Sequence, residues 1–117
     1  MKLIHHKDLT LERWQKFSFC EQLANIGSEV FRAISWRQKK PVYSQLAFER
    51  ALELLDLTLE ASVKSRPKLK ELARLREVLV DYFFSDNVYR SSDQNWKNYF
   101  GAFNYASNNR SRSSAEQ

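Results

Sequence analysis

Glycine and proline are scarce in this chain, which has two of each among 117 residues. Sheet-rich folds need many turns, and turns depend on these two residue types. Their scarcity therefore favours a few long helices joined by short loops. Hydrophobic residues make up 43% of the sequence, which is enough for a folded core rather than a disordered chain. A chain of this length is expected to form one domain with a modest core.

Cysteine is nearly absent, because Cys20 stands alone and has no partner for an internal disulfide. A reducing compartment suits such a chain, and we expect a cytoplasmic protein. Residues 1–6 are not followed by the apolar run of a signal peptide. No segment approaches the roughly 20 consecutive apolar residues that a membrane-spanning helix needs. We interpret Cys20 itself as a buried structural residue.

Histidine is confined to His5 and His6 near the start of the chain. Di-iron helical bundles take His ligands from within their helices, so the sequence argues against that class and against a His acid or base in the core. We interpret the pair as solvated, with a metal site as the alternative. Two glycines also leave no Gly-rich phosphate loop. We therefore expect no enzyme, no cofactor and no metal site.

Four amphipathic segments predict helices. Ser18 and Glu21 have the spacing of a capping box, in which each side chain bonds the backbone N–H of the other residue. Pro41 and Pro67 each suit the first turn of a helix, where the missing N–H costs nothing. Ser92 with the following acidic residue suits a fourth helix start. The predicted helices cover about 19–37, 41–62, 67–85 and 92–106.

Short loops make successive helices antiparallel, so the pattern predicts an all-α, up-down-up-down four-helix bundle. Residues 1–106 are assigned to this single domain, which includes a short N-terminal lead-in that Trp14 and Phe17 anchor to the body. Residues 107–117 are rich in Ser, Asn and Arg. We expect them to form a flexible, disordered basic tail.

The second predicted helix has a wide apolar arc and a narrow acidic stripe. A helix with so little polar surface is expected to be covered on more than one side, either as the central helix or in an oligomer interface. On the third helix, Arg76 falls on the core side, where it must pair with a carboxylate or point into an interface. We interpret its stem as packed and its charged head as extended to solvent, with a functional contact as the alternative. The acidic stripe, interpreted as solvated surface, consists of Glu49, Glu53, Asp56 and Glu60.

Positive charge collects on residues 64–76, where six cations face Glu71 alone, and the whole chain carries +5. In an antiparallel bundle this segment begins at the same end as both termini. Its first four cations, which we name the basic cluster, are expected to contact phosphate together with two tail arginines and a smaller group at the opposite end. The predicted contacts are Lys64, Arg66, Lys68 and Lys70 of the basic cluster, Arg110 and Arg112 of the tail, and Arg37, Lys39 and Lys40 opposite.

Two aromatic residues fall outside the apolar helix faces. Trp36 lies on the polar face of the first helix beside Arg32 and Arg37, and Tyr105 lies near the basic tail. Either ring could stack on an unpaired base. The alternative is that such rings at helix ends cover a loop or fill an oligomer interface.

Three segments carry a resemblance in layout: 21–29 (EQLANIGSE), 46–55 (LAFERALELL) and 96–103 (WKNYFGAF). Together with the length, the four amphipathic helices and the basic charge, they make residues 10–106 resemble the small four-helix bundles of the 23S rRNA intervening-sequence family. That group includes the accessory proteins of diversity-generating retroelements. The resemblance implies a homo-oligomer, a ring-like pentamer, that binds reverse transcriptase and nucleic acid, either RNA or cDNA, and has no activity of its own.

We therefore expect an oligomeric nucleic-acid-binding accessory protein that acts as the partner of a reverse transcriptase. The alternative is a protein–protein adaptor that uses the apolar arc and acidic stripe of the second helix. An enzyme would need an inward-facing carboxylate, and helical periodicity places most of the candidates outward. Those candidates are Glu29, Glu49, Glu53 and Asp81.

Overall fold

The computed structural model describes residues 5–115, and the side chains of residues 5–108. This part of the chain contains no strand, and the predicted all-helical class is confirmed. None of its helices combines the length and the apolar character that crossing a lipid bilayer requires. The helices are α1 (Leu11–Gln15), α2 (Phe19–Trp36), α3 (Pro41–Ala61), α4 (Arg66–Phe84) and α5 (Asp93–Ala115).

The starts of the four long helices follow the local signals in the sequence. Ser18 Oγ accepts a hydrogen bond from the backbone N–H of Glu21, and the Glu21 carboxylate accepts one from the N–H of Ser18, which completes the capping box. Pro41 is the first residue of α3. Helix α4 begins one residue earlier than predicted, because Ser65 caps it by accepting from the N–H of Lys68.

Helix α5 is longer than predicted, since its backbone continues past residue 106 to Ala115. Residues 107–115 contain no glycine or proline that would end a helix. The expected flexibility of the tail stays a prediction. The side chains of Arg110 and Arg112 lie outside the described residues, and so do the contacts predicted for them.

Helix α3 is the central element of the fold. It packs against α1, α2 and α4, and α2 packs in turn against α5. This explains the wide apolar arc, because Leu55 and Leu57 are both almost completely buried, although residues two positions apart point to roughly opposite sides of a helix. Helices α4 and α5 approach each other through side chains, as in the contact of the Tyr82 and Trp96 rings at 6.4 Å. A closed four-helix bundle stays a prediction.

The lead-in is fixed to the body by Trp14, which is 3% exposed. Its indole Nε1 donates to Thr58 Oγ1 of α3 over 2.9 Å, and Gln22 Nε2 of α2 donates to its carbonyl over 2.9 Å. The predicted anchoring by Trp14 is confirmed. Phe17 is not buried in the body as Trp14 is. Its ring covers Trp14, with the two ring centres 5.5 Å apart, and its side chain remains 41% exposed.

Glu29 was expected on the polar face of its helix, and this prediction is wrong. Its side chain is buried between α2 and α3. One carboxylate oxygen accepts from Arg32 Nη1 over 2.7 Å, and the other accepts from Arg50 Nε of α3 over 3.0 Å. Two charge-assisted hydrogen bonds offset the cost of removing the carboxylate from water.

The acidic stripe and the histidine pair were both expected to be solvated, and the structure corrects both interpretations. The backbone N–H of His5 donates to Glu53 Oε2 over 2.9 Å, and His6 Nδ1 lies 3.0 Å from the same oxygen. His5 Nε2 lies 3.7 Å from a carboxylate oxygen of Glu49. The start of the described chain therefore runs along α3 and covers part of its acidic surface.

Arg76 pairs with a carboxylate, which is one of the two outcomes predicted for it. Its Nε donates to Asp56 Oδ1 over 2.8 Å, and its side chain is 41% exposed. The pair joins α4 to the acidic stripe of α3. Of the four stripe residues, all of which the structure describes, Glu60 alone is exposed.

Gly27 allows α2 and α5 to approach closely. A Cβ atom placed on Gly27 would lie 2.6 Å from Cβ of Phe100 and 2.8 Å from its Cγ. These atoms cannot move away without shifting α5, because Phe100 is 1% exposed. A Cβ atom placed on Gly101 of α5 would have no other atom within 4 Å, so the two glycines offer a matched comparison.

We expect Gly27→Ala to lower the free energy of unfolding by up to about 2 kcal/mol, because overpacking costs about 1–3 kcal/mol and the gain in helix propensity is about 1 kcal/mol. Gly101→Ala should instead raise it by up to about 1 kcal/mol through propensity alone. Urea unfolding of both variants measures the difference. Equal effects in the two variants would show that α2 and α5 are not in close contact.

Candidate nucleic-acid interface

The basic cluster lies on the first turns of α4 and the loop before it, and all four side chains are exposed. The first turn contains no acidic residue. A helix start carries partial positive charge, so cations there repel the helix dipole as well as one another. The salt bridges among the described residues involve none of the four cations. The salt bridges of the described fold therefore do not depend on the cluster.

The structure brings the basic cluster together with the end of the lead-in. A cavity of about 300 Å³ is lined by Lys64 and Lys68 on one side and by Gln15 and Phe17 on the other. Lys68 Nζ lies 4.8 Å from the centre of the Phe19 ring at the start of α2. This is the end of the molecule where the sequence predicted the lead-in and the loop before α4 to meet.

Helix α5 reaches the same end of the molecule. The rings of Phe19 and Phe103 meet edge to face at 6.5 Å, which places the middle of α5 beside the start of α2. Lys7, Arg13 and Lys16 of the lead-in are also exposed. Of these, Lys16 lies between the cavity-lining residues Gln15 and Phe17, so the lead-in adds this cation to the surface beside the basic cluster.

The cations at the opposite end have different surroundings. Arg37 is half-buried and its Nη2 donates to the Tyr82 carbonyl over 3.0 Å. Its guanidinium carbon also lies 4.8 Å and 5.0 Å from the ring centres of Tyr82 and Phe83. Arg37 therefore ties the end of α2 to the end of α4. Lys39 is exposed, and Lys40 Nζ lies 5.1 Å from the Tyr43 ring.

The two aromatic residues considered for base stacking differ in their surroundings. Trp36 is 38% exposed and meets the Tyr43 ring edge to face at 5.4 Å, so it covers the connection between α2 and α3. Tyr105 is 69% exposed on α5. Its ring is therefore more accessible to a base than that of Trp36.

The inward-facing carboxylates serve the fold. Besides Glu29, Asp81 is buried, although periodicity placed most of these candidates outward. Its two carboxylate oxygens accept from the N–H groups of Val88 and Tyr89 over 2.9 Å and 3.0 Å. Asp81 thus holds the loop after α4, whose Asn87 has a positive φ of 55°. Sequence periodicity could not show this, because the donors come from another segment.

The remaining candidates for chemistry are few. Cys20 is half-buried rather than fully buried. Within the described residues, no group of three or more His, Cys, Asp or Glu side chains is arranged to hold a metal ion. Exposed cations around the start of α4 are accordingly the feature of this surface that most clearly suggests binding.

Two tyrosines in and near the contact between α4 and α5 have pKa values that are raised mainly by burial. Burial, followed by the hydrogen bond to Asp93, raises the pKa of Tyr82 from its ordinary value of 10.0 to about 12. Burial and the adjacent Glu71 carboxylate also raise the pKa of Tyr99, whose hydroxyl donates to Glu71 Oε1 over 3.1 Å. Both phenols are therefore held protonated in the folded protein.

No protein-family model matches this chain, and it matches no curated protein and no solved structure. The resemblance in layout to the intervening-sequence family therefore stays a prediction. Function has to be argued from the residues themselves.

The raised tyrosine pKa values predict a loss of stability in alkali. The folded protein holds these protons more tightly than the unfolded chain, so the free energy of unfolding should fall as pH rises from 10 toward 12. Tyr82→Phe should make this fall shallower, and adding Tyr99→Phe should make it shallower again. Urea unfolding across this pH range measures the slope. If the free energy of unfolding of the double variant fell with pH as steeply as that of the unaltered protein, Tyr82 and Tyr99 would not be the cause of the fall.

Proposed function

We propose that this chain is a non-enzymatic nucleic-acid-binding accessory protein, built as an up-down-up-down four-helix bundle. Phosphates are contacted by the basic cluster, with the neighbouring lead-in and tail cations in support. The observation that carries the proposal is the contrast between paired and unpaired cations. Arg32, Arg50 and Arg76 are paired with carboxylates inside the described structure, whereas the basic cluster faces solvent.

The position of the cluster strengthens this argument. Four exposed cations at the positive end of a helix raise the free energy of the folded state relative to a neutral surface. A polyanion would reverse the sign of that contribution, because its phosphates would neutralise the cluster and release counterions. Binding to phosphate therefore accounts for a charge arrangement that the fold does not require.

The family resemblance suggests a more specific role. Accessory proteins of diversity-generating retroelements act as oligomers beside a reverse transcriptase, and the same role is proposed for this chain, with RNA or cDNA as its nucleic acid. A pentamer would place several basic clusters around one ring. Co-purification with a reverse transcriptase encoded beside this gene would support that role.

Removing charge from the basic cluster should weaken binding and reduce its salt dependence. For Lys64→Gln/Lys68→Gln we expect the slope of log affinity against log salt to become shallower by about 1.4 on single strands and about 1.8 on duplex DNA. Lys39→Gln/Lys40→Gln removes the same charge from the smaller predicted contact group at the opposite end and should weaken binding less. Fluorescence anisotropy with labelled RNA and DNA measures both.

Two results would contradict the proposal. One is the absence of binding by the unaltered protein at low salt. The other is an affinity that does not change with salt concentration, since phosphate contacts release counterions. An equal loss in both double variants would show that the basic cluster is not the preferred contact.

An adaptor is the second candidate, and one observation favours it. Val42, Tyr43 and Leu46 on the first turns of α3 are 69%, 47% and 37% exposed, beside the partly exposed Trp36. Such an apolar surface suits a protein partner or a second copy of the chain. The acidic stripe supports the adaptor less, because His5, His6 and Arg76 occupy much of it.

Leu46→Glu should separate oligomers in sedimentation experiments without altering phosphate binding by monomers.

A further inference from the structure

A groove of about 400 Å³ opens between α4 and α5. Aliphatic and aromatic side chains form most of its surface, and one arginine and one carboxylate lie at its edge. Trp96 and Tyr99 contribute from α5, and Tyr89 contributes from the loop between the two helices. The lining residues on α4 are Glu71, Arg74, Leu75 and Val78.

Trp96 has an unsatisfied hydrogen-bond donor in this region. Its side chain is 6% exposed, and its Nε1 is buried without a hydrogen-bond partner among the described residues. Buried donors are nearly always paired in folded proteins, because an unpaired one has lost its bonds to water without replacement. A molecule that fills the groove and brings an acceptor to the indole would remove this penalty.

The other polar groups of the groove are arranged differently. The Tyr99 hydroxyl donates to Glu71 over 3.1 Å, and the Tyr89 hydroxyl donates to Glu77 over 2.8 Å. Both carboxylates therefore already accept a hydrogen bond. Arg74 is exposed and forms no salt bridge among the described residues. The groove thus offers a cation beside aromatic rings, with the unsatisfied N–H donor of Trp96 buried behind its surface.

The groove is also continuous with the basic cluster. Arg66, Lys70 and Arg74 are spaced four residues apart on α4, so they follow one face of the helix toward the groove. A chain of phosphates that follows these three cations would bring its bases to the rings of Tyr89, Trp96 and Tyr99. Tyr89 is 46% exposed and is accessible for stacking.

We propose that this groove receives an unpaired base of a single-stranded nucleic acid. When the indole of Trp96 rotates toward the groove, a carbonyl oxygen or ring nitrogen of the base accepts from its Nε1. An aromatic ring stacks on the base, and the adjacent phosphate contacts Arg74. A base inside a duplex is paired and stacked, so it cannot enter. The inference rests on the proposed phosphate binding and adds to it a preference for unpaired bases.

The first test compares a short single-stranded oligonucleotide with an abasic backbone of the same length and charge. The unaltered protein should bind the oligonucleotide with bases about fivefold more tightly or better, as expected for one stacked base. Equal affinity for the two probes would refute the binding of a base in the groove and would leave the proposed phosphate binding intact. If neither probe binds at low salt, the proposed function itself fails and the groove with it.

The second test uses two variants of the groove. Trp96→Phe keeps an aromatic ring and removes the donor, so it should reduce the advantage of the base-containing probe while abasic binding stays the same. Arg74→Gln should weaken both probes and make the salt slope shallower by about 0.7. Lys97→Gln removes one exposed charge from α5 outside the groove and is the matched control. If Trp96→Phe lost binding to both probes equally while remaining folded, the base contact would be refuted.

Discussion

The burial of α3 is the constraint on which the rest of the structure depends. This helix packs against three others, so each polar group on it needs a partner supplied by another element. Ser44 Oγ donates to the Ala33 carbonyl over 2.6 Å, and Thr58 accepts from Trp14. Asp56 is paired with Arg76. The attachment of the lead-in and of α4 thus follows from groups that α3 cannot leave unpaired.

This pairing also determines which charge remains at the surface. Carboxylates at the contacts of α2, α3 and α4 take up arginines, whose planar guanidinium groups suit paired and partly buried positions. Glu29 and Asp56 are thereby matched by arginines among the described residues. The lysines at the start of α4 have no such partner among the described residues, and the excess positive charge is concentrated near them. The arginines nearer the core are thus paired, whereas the basic cluster remains at the surface.

The sequence predicted the elements better than the contacts between them. Capping residues such as Ser18 and helix-starting prolines such as Pro41 act within a few positions, so the helix starts could be read locally. The burial of Glu29 could not, because its partner Arg50 lies 21 residues away on another helix. The contact of His6 with Glu53 could not be predicted for the same reason, because these residues lie 47 positions apart. Periodicity places Trp96 on the apolar face of the fourth predicted helix, but it identifies only a buried face and not an unsatisfied donor within it.

The groove between α4 and α5 follows from where α5 is held. Gly27 permits the backbone of α2 to lie against Phe100, and this close contact fixes α5 on the side of α2. Asp81 meanwhile holds the loop after α4 through two backbone N–H groups, so α5 begins at a defined distance from α4. Helix α5 therefore packs less closely against α4 than against α2. Aromatic side chains fill only part of the space between α4 and α5. Among the described residues, no side chain across this space places an acceptor at the indole of Trp96, so its donor has no partner.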